Sequence, residues 1–128
     1  RYRDELTLIE HTVDATPDNA RARMRLAVQL IRRTDTTAAR EHAEAAREIR
    51  RQWGAPLAVL ATLDDLEGRP EAALAKFRQA MELDPQDGEV ASLFVQFLLK
   101  YGHTEPARMV YAAHSQARGQ PDPSVPVP

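Results

Sequence analysis

The feature of this sequence that most constrains its fold is a spacing between two similar motifs. The segments TPDNARA (Thr16–Ala22) and LDPQDGE (Leu83–Glu89) each carry an amide or an acid two residues after a proline. The two prolines, Pro17 and Pro85, are 68 residues apart, which is twice 34. A fixed period of 20–50 residues is typical of repeat architectures, so the spacing predicts a stack of similar units.

Division of the chain at this period gives blocks 20–53, 54–87 and 88–121, and equivalent places in the three blocks hold similar residues. The seventh place holds large apolar residues, and the eighth holds small or medium ones. The twentieth place holds alanine in every block. The residues, in block order, are Leu26, Leu60 and Phe94 at the seventh place; Ala27, Ala61 and Val95 at the eighth; Ala39, Ala73 and Ala107 at the twentieth; Ala43, Phe77 and Tyr111 at the twenty-fourth; and Ala46, Ala80 and His114 at the twenty-seventh.

This pattern resembles the tetratricopeptide repeat, and the similarity extends over about residues 1–120 and is most specific in residues 54–87. The resemblance implies an all-α fold, a right-handed superhelix (α-solenoid) of antiparallel helix pairs. It places an N-terminal helix, the second of a truncated repeat, in residues 1–19. Three repeats follow at 20–53, 54–87 and 88–119, and a proline-rich tail occupies 120–128.

The alanine columns have a physical reason, because two helices approach to about 8–10 Å only when the residues between them are small. The positions of glycine, proline and helix-capping residues predict helices near 2–15, 18–33, 36–52, 55–67, 70–83, 86–101 and 104–118. Gly68 and Gly102 are expected to take left-handed conformations after helices. Pro70 and Pro106 suit first turns, and Asp18 and Thr104 are expected to cap helix starts.

Four residues depart from the repeat pattern. Asp64 stands where the family has a large, half-buried residue, so either an arginine pairs with it or this hairpin is loose. Thr34 replaces the glycine of the first block and Arg51 replaces its terminal proline, so the junction at 48–56, which contains Trp53, is the least regular. His114 replaces a small residue where a following helix would approach closely, so the array is expected to end here.

The resemblance also implies a ligand-binding groove on the concave face, which the first helix of each repeat forms. The corresponding residues are Arg21, Met24, Val28, Ile31 and Arg32 in the first block, Ala55, Ala58, Thr62, Asp65 and Leu66 in the second, and Glu89, Ser92, Gln96, Leu99 and Lys100 in the third. An apolar stripe flanked by arginines therefore gives way to small, polar and acidic residues. The alternative is that Met24, Val28 and Ile31 only pack against the N-terminal helix.

The composition and motifs point away from catalysis and cofactors. The chain has no cysteine, and its four histidines lack the spacing of a metal-binding helix. Asp64 and Asp65 are adjacent on a helix and so point apart, which does not suit paired acid–base chemistry. We therefore predict no enzyme, no cofactor and no metal site. The lysine and asparagine pattern with which some tetratricopeptide repeats hold acidic C-termini is absent, since Met24, Val28, Val59, Glu89 and Leu93 occupy its places.

Three functions remain to be compared. The first is a non-catalytic scaffold that binds a protein segment in the groove. The second rests on YRDELTLIEHTVDATPDNARARMRLAVQLI, which resembles the start of the repeat region in membrane glycosyltransferases of the protein O-mannosyltransferase-like type, although Ile9 replaces a tryptophan. The domain would then be a regulatory or substrate-presenting appendage outside the cytoplasm, with any membrane segment lying outside this chain. The third is RNA binding, against which the net charge of −2 argues.

The proline-rich tail raises a separate possibility. Residues 120–128 are incompatible with a helix and favour an extended, partly polyproline II conformation. The segment Val125-Pro-Val-Pro is suited to docking in an apolar groove of its own or a neighbouring molecule, which would produce self-association. The alternative for the tail is a packing contact without function.

The sequence does not decide the localisation of the protein. It is cytoplasmic or, if the domain is appended to a membrane protein, periplasmic.

Overall fold

The computed structural model of the chain describes residues 19–119, and within them the regular structure consists of six α-helices without a strand. The helices are α1 (Ala20–Arg32), α2 (Thr36–Ile49), α3 (Ala55–Leu66), α4 (Pro70–Leu83), α5 (Gly88–Lys100) and α6 (Thr104–Ala117). They lie close to the predicted positions, except that the helix expected over 36–52 already ends at Ile49. The N-terminal helix and the tail predicted from the sequence lie outside the described residues.

The helix ends follow from local side-chain chemistry. Carboxylate or amide oxygens of Asn19, Asp35 and Asp87 accept backbone N–H groups at the starts of α1, α2 and α5. Gly68 and Gly102 have φ of 82° and 78°, as predicted. The capping prediction for Thr104 is wrong, because Thr104 is the first residue of α6 and His103, which precedes it, makes no side-chain cap. Asp18 lies outside the described residues.

The six helices form three antiparallel hairpins that stack in chain order. α1 packs on α2, α3 on α4, and α5 on α6, while α2 contacts α3 and α4 contacts α5. The first helices of successive hairpins also touch, α1 against α3 and α3 against α5. The Cα atoms of the first-hairpin helices all lie more than 8 Å from those of the third-hairpin helices. The described part of the chain is therefore an extended stack with a repeating unit, not a closed bundle.

Alanines form the closest contacts of the core, as the sequence predicts. Ala39 and Ala73 are 0% exposed, as are Ala27, Ala61, Ala46 and Ala80. The two larger hydrophobic clusters lie between hairpins, one between the first and second and one between the second and third. Leu93 packs against both clusters and so links them.

Gly54 marks a close approach between the two helices of the second hairpin. A Cβ atom at this position would lie 2.8 Å from Asp84 Cβ and 2.9 Å from the carbonyl oxygen of Ala80. The backbone N–H of Gly54 donates to Asp84 Oδ2 at 3.0 Å. Only glycine lets the start of α3 approach the end of α4 to this distance.

The last hairpin differs from the pattern at the twenty-fourth place. The sequence predicts a groove-filling residue there, as Phe77 is in the second hairpin, but Tyr111 is 52% exposed. In the second hairpin, helix α5 covers this side of α4, whereas no described helix covers the same side of α6. The ring of His114 instead meets the carbonyl oxygen of Pro85 at 2.9 Å.

Thr34 occupies a backbone conformation that suits glycine. It follows α1 with φ of 62°, and it is the one non-glycine residue with positive φ among residues 19–119. A β-branched residue in this region is strained by about 1–2 kcal/mol. We expect Thr34→Gly to raise the free energy of unfolding by about 0.5–1 kcal/mol, since the greater freedom of glycine in the unfolded chain offsets part of the gain.

Urea denaturation tests this expectation, and Thr37→Gly provides the matched control. Thr37 is exposed in the first turn of α2, where glycine is less favourable than threonine by about 0.3 kcal/mol. The two substitutions should therefore shift the transition in opposite directions. A loss of stability in both variants would contradict the assignment of strain to Thr34.

Candidate functional site

The predicted groove residues lie along α1, α3 and α5, and many of them line two cavities. The first cavity has a volume of about 440 Å³ and is open to solvent. Its lining comes from α1, the segment before α3, and the start of α5: Arg21, Met24, Arg25, Val28, Gln29, Trp53, Ala55, Asp87 and Glu89. The second cavity, of about 280 Å³, lies between the ends of α3 and α5.

Trp53 forms a fixed aromatic wall of the first cavity. Its indole Nε1–H donates to Asp87 Oδ2 at 2.9 Å. The other carboxylate oxygen of Asp87 accepts the backbone N–H groups of Glu89 and Val90 at the start of α5. The guanidinium of Arg50 lies 4.7 Å from the ring centroid and that of Arg21 lies 5.9 Å from it. The half-buried ring is thus oriented by one hydrogen bond and two cations.

The floor of the first cavity is apolar and continuous with the core. Met24 is 6% exposed and Ala55 is 2% exposed, while Val28 is half-buried. Met24, Val28 and Ile31 all pack in the cluster between the first and second hairpins. The stripe therefore has a structural role in the described residues, and part of its surface also lines the first cavity. The N-terminal helix, the alternative packing partner, is outside the described residues.

Charged side chains surround this floor on two sides. Arg21 and Arg25 project from α1, and both are exposed. Glu89, also exposed, stands on the opposite side in the first turn of α5. The first cavity therefore combines an apolar floor with a basic side and an acidic side.

The second cavity contains an ion pair that joins the second and third hairpins. Thr62, Asp65, Leu66, Phe77, Leu93, Gln96, Phe97 and Lys100 line it. Lys100 Nζ lies 2.7 Å from Asp65 Oδ2, and the Tyr101 hydroxyl donates to Asp65 Oδ1. Both Asp65 and Lys100 were predicted as groove residues. Because they neutralise each other, this part of the face is less acidic than the sequence alone indicates.

The structure gives different surroundings to the other predicted groove residues. Ala58 is 0% exposed in the core between the second and third hairpins, so it offers no surface to a ligand. Leu66 and Leu99 are 55% and 52% exposed, which is unusual for leucine. Arg32 and Ser92 are exposed, and the side-chain amide of Gln96 donates to the Ser92 hydroxyl at 3.3 Å.

Asp64 points away from Asp65, as the sequence predicts, and it is paired with arginine. It is 2% exposed, yet its carboxylate lies 2.9 Å from Arg40, 3.2 Å from Arg69 and 2.5 Å from Lys76. Burial raises the pKa of Asp64, but hydrogen bonds from Lys76 and Arg40 outweigh this and lower the pKa below its ordinary value. The residue therefore joins α2, α3 and α4, and we assign it a structural role.

The pairing of Asp65 predicts a pH-dependent stability. Burial raises the pKa of Asp65, but hydrogen bonds from Lys100 and Tyr101 outweigh it, so the pKa in the folded protein lies below 3.8. The resulting stabilisation is present above pH 3.8 and is lost as the pH falls through the lower folded pKa. The stability difference between wild type and Asp65→Asn should thus be constant from about pH 5 to 8 and shrink below pH 3.8.

Urea denaturation of both proteins across this pH range measures the difference. Glu71→Gln, at an exposed position in the first turn of α4, serves as a control for the general effect of removing a carboxylate. A difference between wild type and Asp65→Asn that persists unchanged below the ordinary aspartate pKa would contradict the pairing.

Sequence reasoning missed four residues that line the first cavity: Arg25, Gln29, Trp53 and Asp87. A signal for two of them was present, because Trp53 and Asp87 are 34 residues apart, one full period. Equivalent places in successive repeats lie side by side, so a donor and an acceptor at this spacing are expected to meet. Arg25 was overlooked because its place is not among those through which the family forms its groove.

Two further properties concern the whole described span. Residues 19–119 contain no cluster of three or more His, Cys, Asp or Glu side chains arranged to hold a metal ion. Within the same span, no helix has both the length and the apolar character required to cross a bilayer.

Comparison with known proteins identifies the architecture. Residues 66–125 match the family model described as Tetratricopeptide repeat. A crystal structure of MamA superposes with a TM-score of 0.62 at 12% identity, covering 92% of this chain and 69% of MamA. The fold is that of a tetratricopeptide repeat array. No curated protein has a significant sequence match to the chain.

Further MamA structures agree with this fold. MamA MSR-1 C2 gives a TM-score of 0.57 at 19% identity, covering 90% of this chain and 66% of that one. MamA AMB-1 P212121 gives 0.55 at 20% identity, covering 95% and 64%. The chain thus spans about two thirds of the length of the MamA chains. At these identities the likeness concerns the fold alone.

Proposed function

We propose that the chain is a non-catalytic scaffold that binds a segment of another protein on the face formed by α1, α3 and α5. The tetratricopeptide repeat fold suggests a role in protein–protein interaction. The observation that carries the proposal is the first cavity, with its apolar floor, its oriented tryptophan and its charged sides. Such a site suits an extended or helical peptide that places an apolar side chain against Trp53 and Met24.

Peptide selection followed by NMR tests this function directly. A random peptide display library would be selected against the full chain, and enriched peptides would be titrated into isotope-labelled protein. Trp53 is the only tryptophan, so its indole N–H gives a single, unambiguous signal. We expect bound peptides to shift this signal and the amide signals of α1, α3 and the start of α5.

Two results would contradict the proposal. One is the absence of any enriched peptide, and the other is a set of shifts confined to α2, α4 and α6. Leu66→Glu and Arg21→Glu, two changes at exposed positions on the proposed face, should each weaken the selected peptides that contact them without changing the melting temperature substantially. Arg108→Glu, at an exposed position on α6, is the control and should leave binding intact.

The two other functions weighed from the sequence gain no support. The family and the structures named above, a tetratricopeptide repeat model and MamA, are not membrane glycosyltransferases. RNA binding would require a basic inner face, whereas Asp65, Asp87 and Glu89 border the two cavities. We therefore propose the scaffold alone.

A further inference from the structure

We infer that the protein segment bound in the first cavity is acidic, with an apolar anchor residue, and that it lies along α1. This inference rests on the proposed function and specifies the chemistry of the partner. It comes from the charge on α1 and from the way in which cations elsewhere in the chain are paired.

Helix α1 carries a row of exposed arginines, of which Arg21 and Arg25 line the first cavity. Its sequence, ARARMRLAVQLIR, contains four arginines and no acidic residue. Arg21, Arg25 and Arg32 fall within an arc of about 40° at 3.6 residues per turn, and Val28 lies at its edge. All three arginines are exposed, so their guanidinium groups are accessible to a ligand that reaches the apolar floor beside Val28.

These three arginines have no acidic partner among residues 19–119, whereas six other basic residues of that span form ion pairs. Arg40, Arg69 and Lys76 pair with Asp64, and Lys100 pairs with Asp65. Even the exposed Arg51 and Arg108 have acidic neighbours one turn away. The cationic groups left available on the proposed binding face are therefore concentrated on α1.

The arrangement of the α1 arginines is unfavourable in the absence of an anion. Arg21 is in the first turn of α1, where the helix dipole disfavours a positive charge. Arg25 follows at i+4, a spacing at which like charges repel. An acidic ligand residue near Arg21 and Arg25 would relieve both effects. The Arg21 guanidinium lies 5.9 Å from the centroid of the Trp53 ring, so an acidic ligand residue beside Arg21 would lie at the edge of the apolar floor.

Glu89 on the opposite side of the first cavity limits where the acidic residues of a ligand can lie. Its carboxylate repels them from the start of α5, so they are directed along α1. The same acidic side favours a peptide over a nucleic acid, whose phosphates are uniformly spaced and would also face Glu89 and Asp87. The preferred ligand thus has acidic residues on one side of its apolar anchor.

The peptides enriched on the full chain provide the first test, because their composition is not chosen in advance. We expect Asp and Glu to be enriched beside a large apolar residue. Replacement of these acids by Asn and Gln should weaken binding at least about ten-fold, and raising NaCl from about 0.05 to 0.5 M should weaken it similarly. Enriched peptides that bind the same face without an acidic preference would overturn this inference and leave the scaffold function intact.

Charge reversal on the protein provides the second test with a matched control. Arg25→Glu should weaken the acidic peptides at least about ten-fold. Arg78→Glu should leave their affinity unchanged, because Arg78 is an exposed arginine on α4 that also lacks an ion pair in the described span. Both positions are exposed, so equal melting temperatures are expected. Equal loss in the two variants would indicate non-specific attraction and overturn the inference.

Two other ligands of the α1 arginines give distinct outcomes in the same experiments. A second copy of the chain would produce a wild-type dimer in sedimentation and a monomeric Arg25→Glu variant, without any peptide. A single-stranded oligouridine that binds more tightly than the selected peptides, and loses affinity in Arg25→Glu, would identify a nucleic acid. Either result would overturn the assignment of an acidic peptide.

Discussion

Replacement of Phe77 by alanine is expected to lower the free energy of unfolding by about 3–5 kcal/mol. Phe77 is 1% exposed and lies between the second and third hairpins. Its ring stacks on Phe94 at a centroid distance of 5.2 Å and contacts Phe97 at 5.0 Å. The substitution removes these aromatic contacts and leaves a cavity that the neighbouring helices fill only in part.

Urea denaturation measures this change, and Tyr111→Ala is its matched control. Tyr111 occupies the same place in the following repeat but is 52% exposed, so its removal should cost less than about 1 kcal/mol. Similar losses in the two variants would contradict the conclusion that the second and third hairpins are held together through Phe77.

Replacement of Asp64 by asparagine is expected to lower the free energy of unfolding by about 2–4 kcal/mol. The substitution keeps the size of the side chain but removes the negative charge opposite Arg40, Arg69 and Lys76. Lys76 and Arg40 are partly exposed, with side-chain exposures of 33% and 25%, so water compensates them in part. The expected loss is therefore below that of a fully buried pair.

A double-mutant cycle separates the charge interaction from general disruption of α3. Asp64→Asn and Lys76→Met would be combined, and their effects on stability should be non-additive by more than about 0.5 kcal/mol. Asp64→Asn combined with Arg118→Ala, a distant exposed position, should be additive. Additivity in both pairs would contradict the role of Asp64 as the shared partner of these cations.

The packing of the repeats was predictable because small residues report directly on helix contacts. Ala39, Ala73 and Ala107 recur at one place and are buried, and Gly68 and Gly102 take positive φ. Thr34 fell at the place of a glycine, and its backbone adopts the glycine conformation despite the cost. In each case the position within the repeat determines the burial or the backbone conformation of the residue, whichever residue is present.

The charged contacts were harder to predict because several partners compete for each acid. The pattern left open whether an arginine pairs with Asp64 or the hairpin is loose, and it indicated neither which arginine would pair nor the contact with Lys76. The exposure of Tyr111 depends on what lies beyond α6, which the repeat pattern does not contain. Trp53 was difficult for a similar reason, since it lies in a connection and acquires its place only through Asp87 on the next hairpin.

The separation of the first and third hairpin backbones has a mechanical consequence. Each hairpin packs mainly on its neighbour in the chain, so the stack bends at two junctions between hairpins. Small rotations at the two junctions would therefore change the curvature of the face formed by α1, α3 and α5 to fit a partner, while each hairpin stays intact.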